Sequence, residues 1–240
     1  MRNYIPLVVV LVICLAFAGG YFAFKSSQPA VDAIGESEEV RDLKDRARAY
    51  ADANEYEQAI EYYTEALKMR PDDAYLHNDL GAVYHNMGID AAGETWPSWE
   101  EDLTDMTPVT ALQQLKQALS EVQSGVIVMT VNSKKVMDTL ANHARASGCY
   151  VYIEHHQRTS DMNIIKGKTR EAFRKAESEL LRAKDLKPRY SAAYQNLGSL
   201  YYRMGRQKDA VIMWKSALDL EPTNKKLRQY LQQYDLTLSQ

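Results

Sequence analysis

The stretch NLGSLYYRMGRQKDAVIMWKSALDLEP, residues 196–222, spaces small and aromatic residues as two packed helices would. Its first glycine and tyrosine are three positions apart, and its later alanine, tryptophan and alanine follow at intervals of four and three. Residues at such spacings share one helix face, so small ones let two helices approach and rings fill the remaining space. A proline five residues later ends the second helix. The positions are Gly198, Tyr201, Ala210, Trp214, Ala217 and Pro222.

A second copy of this pattern occurs near the start of the chain, with identical offsets. Its positions are Ala47, Tyr50, Ala59, Tyr63, Ala66 and Pro71. The pattern resembles the tetratricopeptide repeat (TPR) family, whose 34-residue unit carries this series of positions. The resemblance implies a mainly α fold in which helical hairpins stack into a solenoid and bind other proteins.

A third copy lies between these two and is interrupted. Leu80, Gly81 and Tyr84 match its first helix, whereas the second helix returns only after roughly eighty residues. That helix carries Ala176, Leu180, Ala183 and Pro188. An insertion at an exposed turn is tolerated when its ends lie close together. We therefore predict a three-hairpin TPR solenoid (40–88 plus 170–224), an inserted domain (89–169) and a capping helix (225–240).

The predicted insert has its own pattern of helices and strands. Pro108 begins a helix that Gly125 ends, the apolar run 126–131 is a strand, and Gly148 ends a second helix. Two further strands are predicted at 149–153 and 162–166, which gives a small α/β sandwich with its helices on one face of the sheet. The segment resembles the TusA/SirA-like sulfur-carrier family. In that family a cysteine precedes the helix-opening proline; here Thr107 takes its place, which implies an insert without this chemistry.

The sequence near the N-terminus predicts a membrane-spanning segment. Ile5 to Phe24 is a run of 20 uncharged residues between Arg2 and Lys25, long enough to cross a bilayer. We predict a transmembrane anchor or signal at 1–25 and a polar linker at 26–39. The flanking charges favour a single-pass protein of the cell inner membrane whose body is periplasmic. A cleaved signal peptide, from the motif at 16–18, and a lipoprotein signal at Cys14 are alternatives.

Composition and motifs predict a protein without catalytic, metal or cofactor sites. The net charge is −3, so the chain does not have the excess of basic residues that is typical of nucleic-acid binders. His155 and His156 are adjacent on a predicted strand and therefore point to opposite faces, so they cannot easily share a metal ion. No assembled catalytic group is recognisable, and we predict no enzyme and no cofactor.

The TPR resemblance also implies a binding groove, lined by the first helix of each hairpin, that accepts an acidic or C-terminal peptide. Lys44 fits the clamp that some TPR domains use for a terminal carboxylate, but Arg48 replaces its asparagine and Ala192 a lysine. The predicted groove residues are Arg41, Lys44, Arg48, Tyr75, Asn78, His85, Gln195, Tyr202 and Arg203. On the insert, Trp96 and Trp99 either pack the domain onto the repeats or form an exposed contact site for a partner.

These features predict a membrane-anchored TPR adaptor or scaffold, in which the insert supplies a second binding surface. One alternative is a thiol- or sulfur-handling protein that uses Cys149, for which a buried apolar position in the sheet is the competing interpretation. The other alternative is a chaperone-like factor of envelope assembly, which rests on the fold alone.

Overall fold

A computed structural model describes residues 37–238, with side chains as far as Gln232. This part of the chain holds nine helices and one four-stranded sheet. The elements are α1 (Glu38–Asp52), α2 (Tyr56–Met69), α3 (Ala74–Ala92), β1 (Trp99–Asp102), α4 (Pro108–Glu121), β2 (Gly125–Val131), α5 (Lys134–Ala146), β3 (Tyr150–His155), β4 (Ser160–Lys166), α6 (Gly167–Leu186), α7 (Ser191–Arg203), α8 (Gln207–Leu220) and α9 (Lys225–Leu238).

The predicted membrane segment at 1–25 lies outside the described residues. Within 37–238, none of the helices combines the length and the apolar character that crossing a bilayer requires.

Helices α1 and α2 form the first hairpin. Ser37 starts α1 by accepting a hydrogen bond from the Val40 amide through its hydroxyl, at 3.3 Å. Asn54 turns the chain with a φ of 60°, a conformation that asparagine tolerates better than most residues. The predicted interface residues Ala47, Ala59, Tyr63 and Ala66 are all buried.

Helices α3 and α6 form the interrupted hairpin, with the insert between them. A Cβ on Gly81 would lie 2.7 Å from the Leu180 Cγ atom, so the two helices meet where only glycine fits. His77 Nδ1 on α3 and Glu179 Oε2 on α6 lie 2.6 Å apart, which adds a polar contact between the same helices. Helix α3 continues to Ala92 and α6 already begins at Gly167, beyond the predicted boundaries at 88 and 170.

The third hairpin, α7 and α8, repeats this packing, and α9 follows it. A Cβ on Gly198 would lie 2.3 Å from the Trp214 Cδ1 atom, which explains the glycine opposite a large ring. Leu227 and Leu231 of α9 are buried against the hairpin, whereas Lys225, Lys226 and Arg228 face solvent.

The insert folds as β1-α4-β2-α5-β3-β4, with the sheet order β1-β2-β4-β3. Strand β1 runs parallel to β2, and the other neighbouring strands are antiparallel. Sequence patterns predicted three of the four strands and missed β1. Its residues WEED carry three carboxylates and little apolar periodicity, and their partner in β2 lies more than twenty residues further on.

Both faces of this sheet are covered. On one face Ile127, Met129 and Ile164 share a core with α4 and α5. On the other face Val126 and Ile165 share a core with residues of α6, α7 and α8. The prediction of helices on one face therefore describes half of the arrangement, since the repeats themselves cover the second face as a third layer.

Candidate functional site

The first helices α1, α3 and α7 carry the predicted groove residues. Lys44 and Arg48 on α1 meet Asn78 on α3 around a carboxylate that the sequence prediction did not include, that of Asp79. Arg48 Nη2 donates to Asp79 Oδ2 at 3.0 Å, and Asn78 Nδ2 donates to Asp79 Oδ1 at 3.2 Å. Lys44 is buried and also attracts the Asp79 carboxylate. The Asp79 carboxylate therefore partly neutralises the positive charge of Lys44 and Arg48 at the centre of the groove.

Burial controls the ionisation of Asp79. Its side chain is 12% exposed. Burial raises the pKa of Asp79 above its ordinary value, although Arg48, Asn78 and Lys44 each lower it. A second carboxylate brought by a ligand would meet the same low-polarity surroundings and two cations that are already engaged.

A polar contact continues the network from the second hairpin to the third. Asn196 Nδ2 donates to Asn78 Oδ1 at 2.9 Å, and both side chains are buried. Asn196 was also missed by the sequence prediction. Asp79 and Asn196 each directly precede the signature leucine of their helix, so aligning the repeats on that leucine would have identified both. Gln195 lies beside Asn196, buried, with its Nε2 atom donating to Ser191 Oγ at 3.0 Å.

The margins of the groove are more exposed than its centre. Arg41 is exposed on α1, and Tyr202 is partly exposed, with its ring 5.9 Å from that of Trp214. Tyr75 packs edge-on against Tyr190 at 4.8 Å, and the Lys187 Nζ atom lies 4.1 Å from the Tyr75 ring centre. The exposed side chains that could contact a ligand therefore lie at the margins of the groove. The polar residues between them are buried.

One margin is in contact with the insert. The Arg203 guanidinium lies 4.9 Å from the Trp96 ring centre, and the Trp96 ring lies 6.1 Å from that of Phe173. His85 lies 5.8 Å from the same phenylalanine ring. Burial, assisted by Arg203, lowers the pKa of His85 to about 3, so this imidazole is neutral at ordinary pH. Trp96 thus packs the insert onto the repeats.

Trp99 is used differently from Trp96. It is half-buried and packs into the insert's own core beneath α4 and α5. The two tryptophans that the sequence prediction grouped as one surface therefore lie in two separate cores.

The residues considered for sulfur or metal chemistry lie apart from the groove. Cys149 is buried, and burial raises the pKa of its thiol, which disfavours the reactive thiolate. The Thr107 hydroxyl caps α4 by accepting from the Thr110 amide at 3.3 Å. His155 contacts Ser160 and His156 contacts Asp161, and no cluster of metal-binding side chains occurs within residues 37–238.

Comparison with known families identifies the repeats. Residues 47–88 match a model described as TPR repeat, and residues 191–224 match one described as tetratricopeptide repeat. The predicted TPR repeats are therefore confirmed, and TPR proteins generally mediate protein–protein interactions. The TusA-like interpretation of the insert stays a prediction, since neither match reaches residues 89–169.

Several solved TPR structures are similar to this chain. The first TPR of Spaghetti (RPAP3) bound to the HSP90 peptide SRMEEVD is 16% identical over 85% of this chain and 97% of its own, with a TM-score of 0.46. The Sgt2 TPR domain from Aspergillus fumigatus is 16% identical over 85% and 81%, also at 0.46. The first TPR domain of human RPAP3 is 14% identical over 84% and 93%, at 0.47. No curated protein matches the chain.

Proposed function

We propose that this chain is a non-catalytic TPR adaptor that binds an extended segment of a partner protein along α1, α3 and α7. The observation that carries the proposal is the polar network from Arg48 through Asp79 and Asn78 to Asn196, which joins the first helices of all three hairpins. By linking the three first helices, this network fixes the surface over which an extended segment would lie.

The charges favour an internal acidic segment over a chain-terminal carboxylate. Asp79 already engages Arg48, and Ala192 stands where a terminal-carboxylate clamp would place a lysine. Arg41, by contrast, is exposed at the α1 margin. Acidic side chains of the ligand would therefore contact the margin, while its backbone lies over the amides.

The experiment compares two arginine variants of the full chain. Fluorescent peptides of about ten residues, a length that crosses three neighbouring helices, are titrated in acidic form and with each Asp or Glu replaced by its amide. Arg41→Glu should weaken acidic-peptide binding about fivefold, and added salt should weaken the wild type similarly. The control is Arg174→Glu, an equally exposed change on the second helix α6, which should bind as the wild type does.

Two results would reject this proposal. One is that no acidic peptide binds the wild-type chain. The other is that the Arg41 and Arg174 variants bind alike.

The proposal also includes the N-terminal anchor and the insert. Residues 1–25 would hold the adaptor in the inner membrane with its body in the periplasm, and a reporter fused after residue 240 that is active only in the cytoplasm would contradict this.

The TusA-like insert would act as a second, non-catalytic binding surface. Supporting this, Val109 is 69% exposed beside the helix-capping Thr107. Partner binding that is unchanged in Val109→Asp would argue against that surface.

A further inference from the structure

The insert also contacts the third hairpin, which is not the hairpin that carries it. Asn163 of β4 donates from Nδ2 to the Gly205 carbonyl, in the turn between α7 and α8, at 3.3 Å. Gly205 has a φ of 74°, and a Cβ there would lie 2.1 Å from the Asn163 Cγ atom. The turn and the sheet therefore meet at a position that admits no side chain.

The residue after this glycine, Arg206, contacts four elements. The Arg206 guanidinium lies 3.9 Å from the Tyr201 ring centre and 5.5 Å from that of Tyr152, on strand β3. It also forms ion pairs of 2.7 Å with Glu177 on α6 and with Asp209 on α8. One arginine thus connects the insert to both the second and the third hairpins.

An ion pair completes this contact. Glu154 of β3 is 2% exposed, so its carboxylate needs a counter-charge close by. The Lys208 Nζ atom of α8 lies 3.1 Å from Glu154 Oε1 and donates to the His155 carbonyl at 2.9 Å. A buried carboxylate is costly without a counter-charge, so the docked arrangement depends on this lysine.

We propose that the insert fixes the third hairpin relative to the second, and that Lys208 keeps it docked by neutralising the buried Glu154 carboxylate. Repeats in a solenoid ordinarily contact only their neighbours through the stacked helices. Here the insert, covalently part of the second hairpin, adds a second contact to the third. The docking interface is formed by Tyr152, Glu154 and Asn163 on the insert and by Gly205, Arg206 and Lys208 on the third hairpin. This inference does not depend on any partner peptide.

Hydrogen exchange of the full chain, read by mass spectrometry, tests the proposal. Lys208→Met leaves the Glu154 carboxylate buried and unpaired, so amides of the β3–β4 hairpin and of the α7–α8 turn should exchange at least tenfold faster. Adding Glu154→Gln to that variant removes the unpaired charge and should slow the exchange again. Lys208→Arg, which keeps the charge, should exchange as the wild type does.

A matched control uses an ion pair on the solvent-facing side of the same domain. Lys134 and Asp138 are 2.7 Å apart on α5, with side chains 81% and 53% exposed, and Lys134→Met should leave exchange unchanged. The proposal is overturned if Lys208→Met exchanges as the wild type does at both segments, or if the double variant is no slower than the single one. If Lys208→Met does not fold, Lys208→Gln takes its place in the same comparison: faster exchange at both segments that Glu154→Gln slows again supports the proposal, and unchanged exchange overturns it.

Discussion

His85 shows how one side chain with a buried ring nitrogen couples this fold to pH. Its Nε2 atom is buried without a hydrogen-bond partner in the described part of the chain, and the Phe173 ring lies beside it. The folded pKa of about 3 lies below the ordinary value of 6.5. Between these values the unfolded chain binds a proton that the folded chain does not. The free energy of unfolding therefore falls as the pH drops below about 6.5.

His85→Gln should flatten this part of the pH profile, because glutamine does not titrate. We expect the wild type to lose up to about 3 kcal/mol more stability than the variant between pH 7 and pH 4. Urea unfolding at several pH values measures the difference, and the exposed residue change His155→Asn serves as the control. Parallel profiles for the wild type and His85→Gln would show that His85 is protonated equally in both states.

At the scale of single elements, Lys166 stabilises the end of a helix that is distant in sequence. Its Nζ atom donates to the Leu119 and Val122 carbonyls, in the last turn of α4 and just after it. A cation at a helix C-terminus satisfies carbonyls that have no partner within the helix and also interacts favourably with the helix dipole.

Lys166→Met should therefore destabilise the insert by about 1–2 kcal/mol, since it removes two charged hydrogen bonds while keeping the length of the side chain. Lys168→Met, an exposed change two residues later, is the control and should lie within about 0.5 kcal/mol of the wild type. Thermal unfolding measures both. Equal destabilisation by the two changes would contradict a specific role for Lys166 at the end of α4.

Some elements of this fold could be predicted from the sequence, and others could not. The hairpins follow from local spacing, because Gly81, Gly198 and their partners Leu180 and Trp214 recur at the family offsets. Strand β1 and the contact between Arg48 and Asp79 depend on segments distant in sequence, which no local pattern records. The groove residues could be named from the repeat register, but their partners required the three-dimensional structure.

For the whole molecule, one face of the insert's sheet shares a core with the repeats. Val126 and Ile165 of the sheet belong to the same buried cluster as Phe173, Leu197 and Trp214 of α6, α7 and α8. The insert also has a core of its own beneath α4 and α5, but an independently stable domain would have few contacts across its boundary. The sheet would expose apolar residues on one face if it separated from the repeats, and the hairpins would lose the same contacts.

Heating should therefore unfold residues 37–238 in one cooperative transition. In calorimetry of the full chain we expect a single peak whose calorimetric and van't Hoff enthalpies agree, because separating the two units would expose the core that they share. Circular dichroism and tryptophan fluorescence should give the same midpoint, since Trp99 reports the insert's core and Trp214 that of the repeats. Two separated peaks, or midpoints that differ between the probes, would mean that the insert unfolds independently and that the shared core contributes little to holding it on the solenoid.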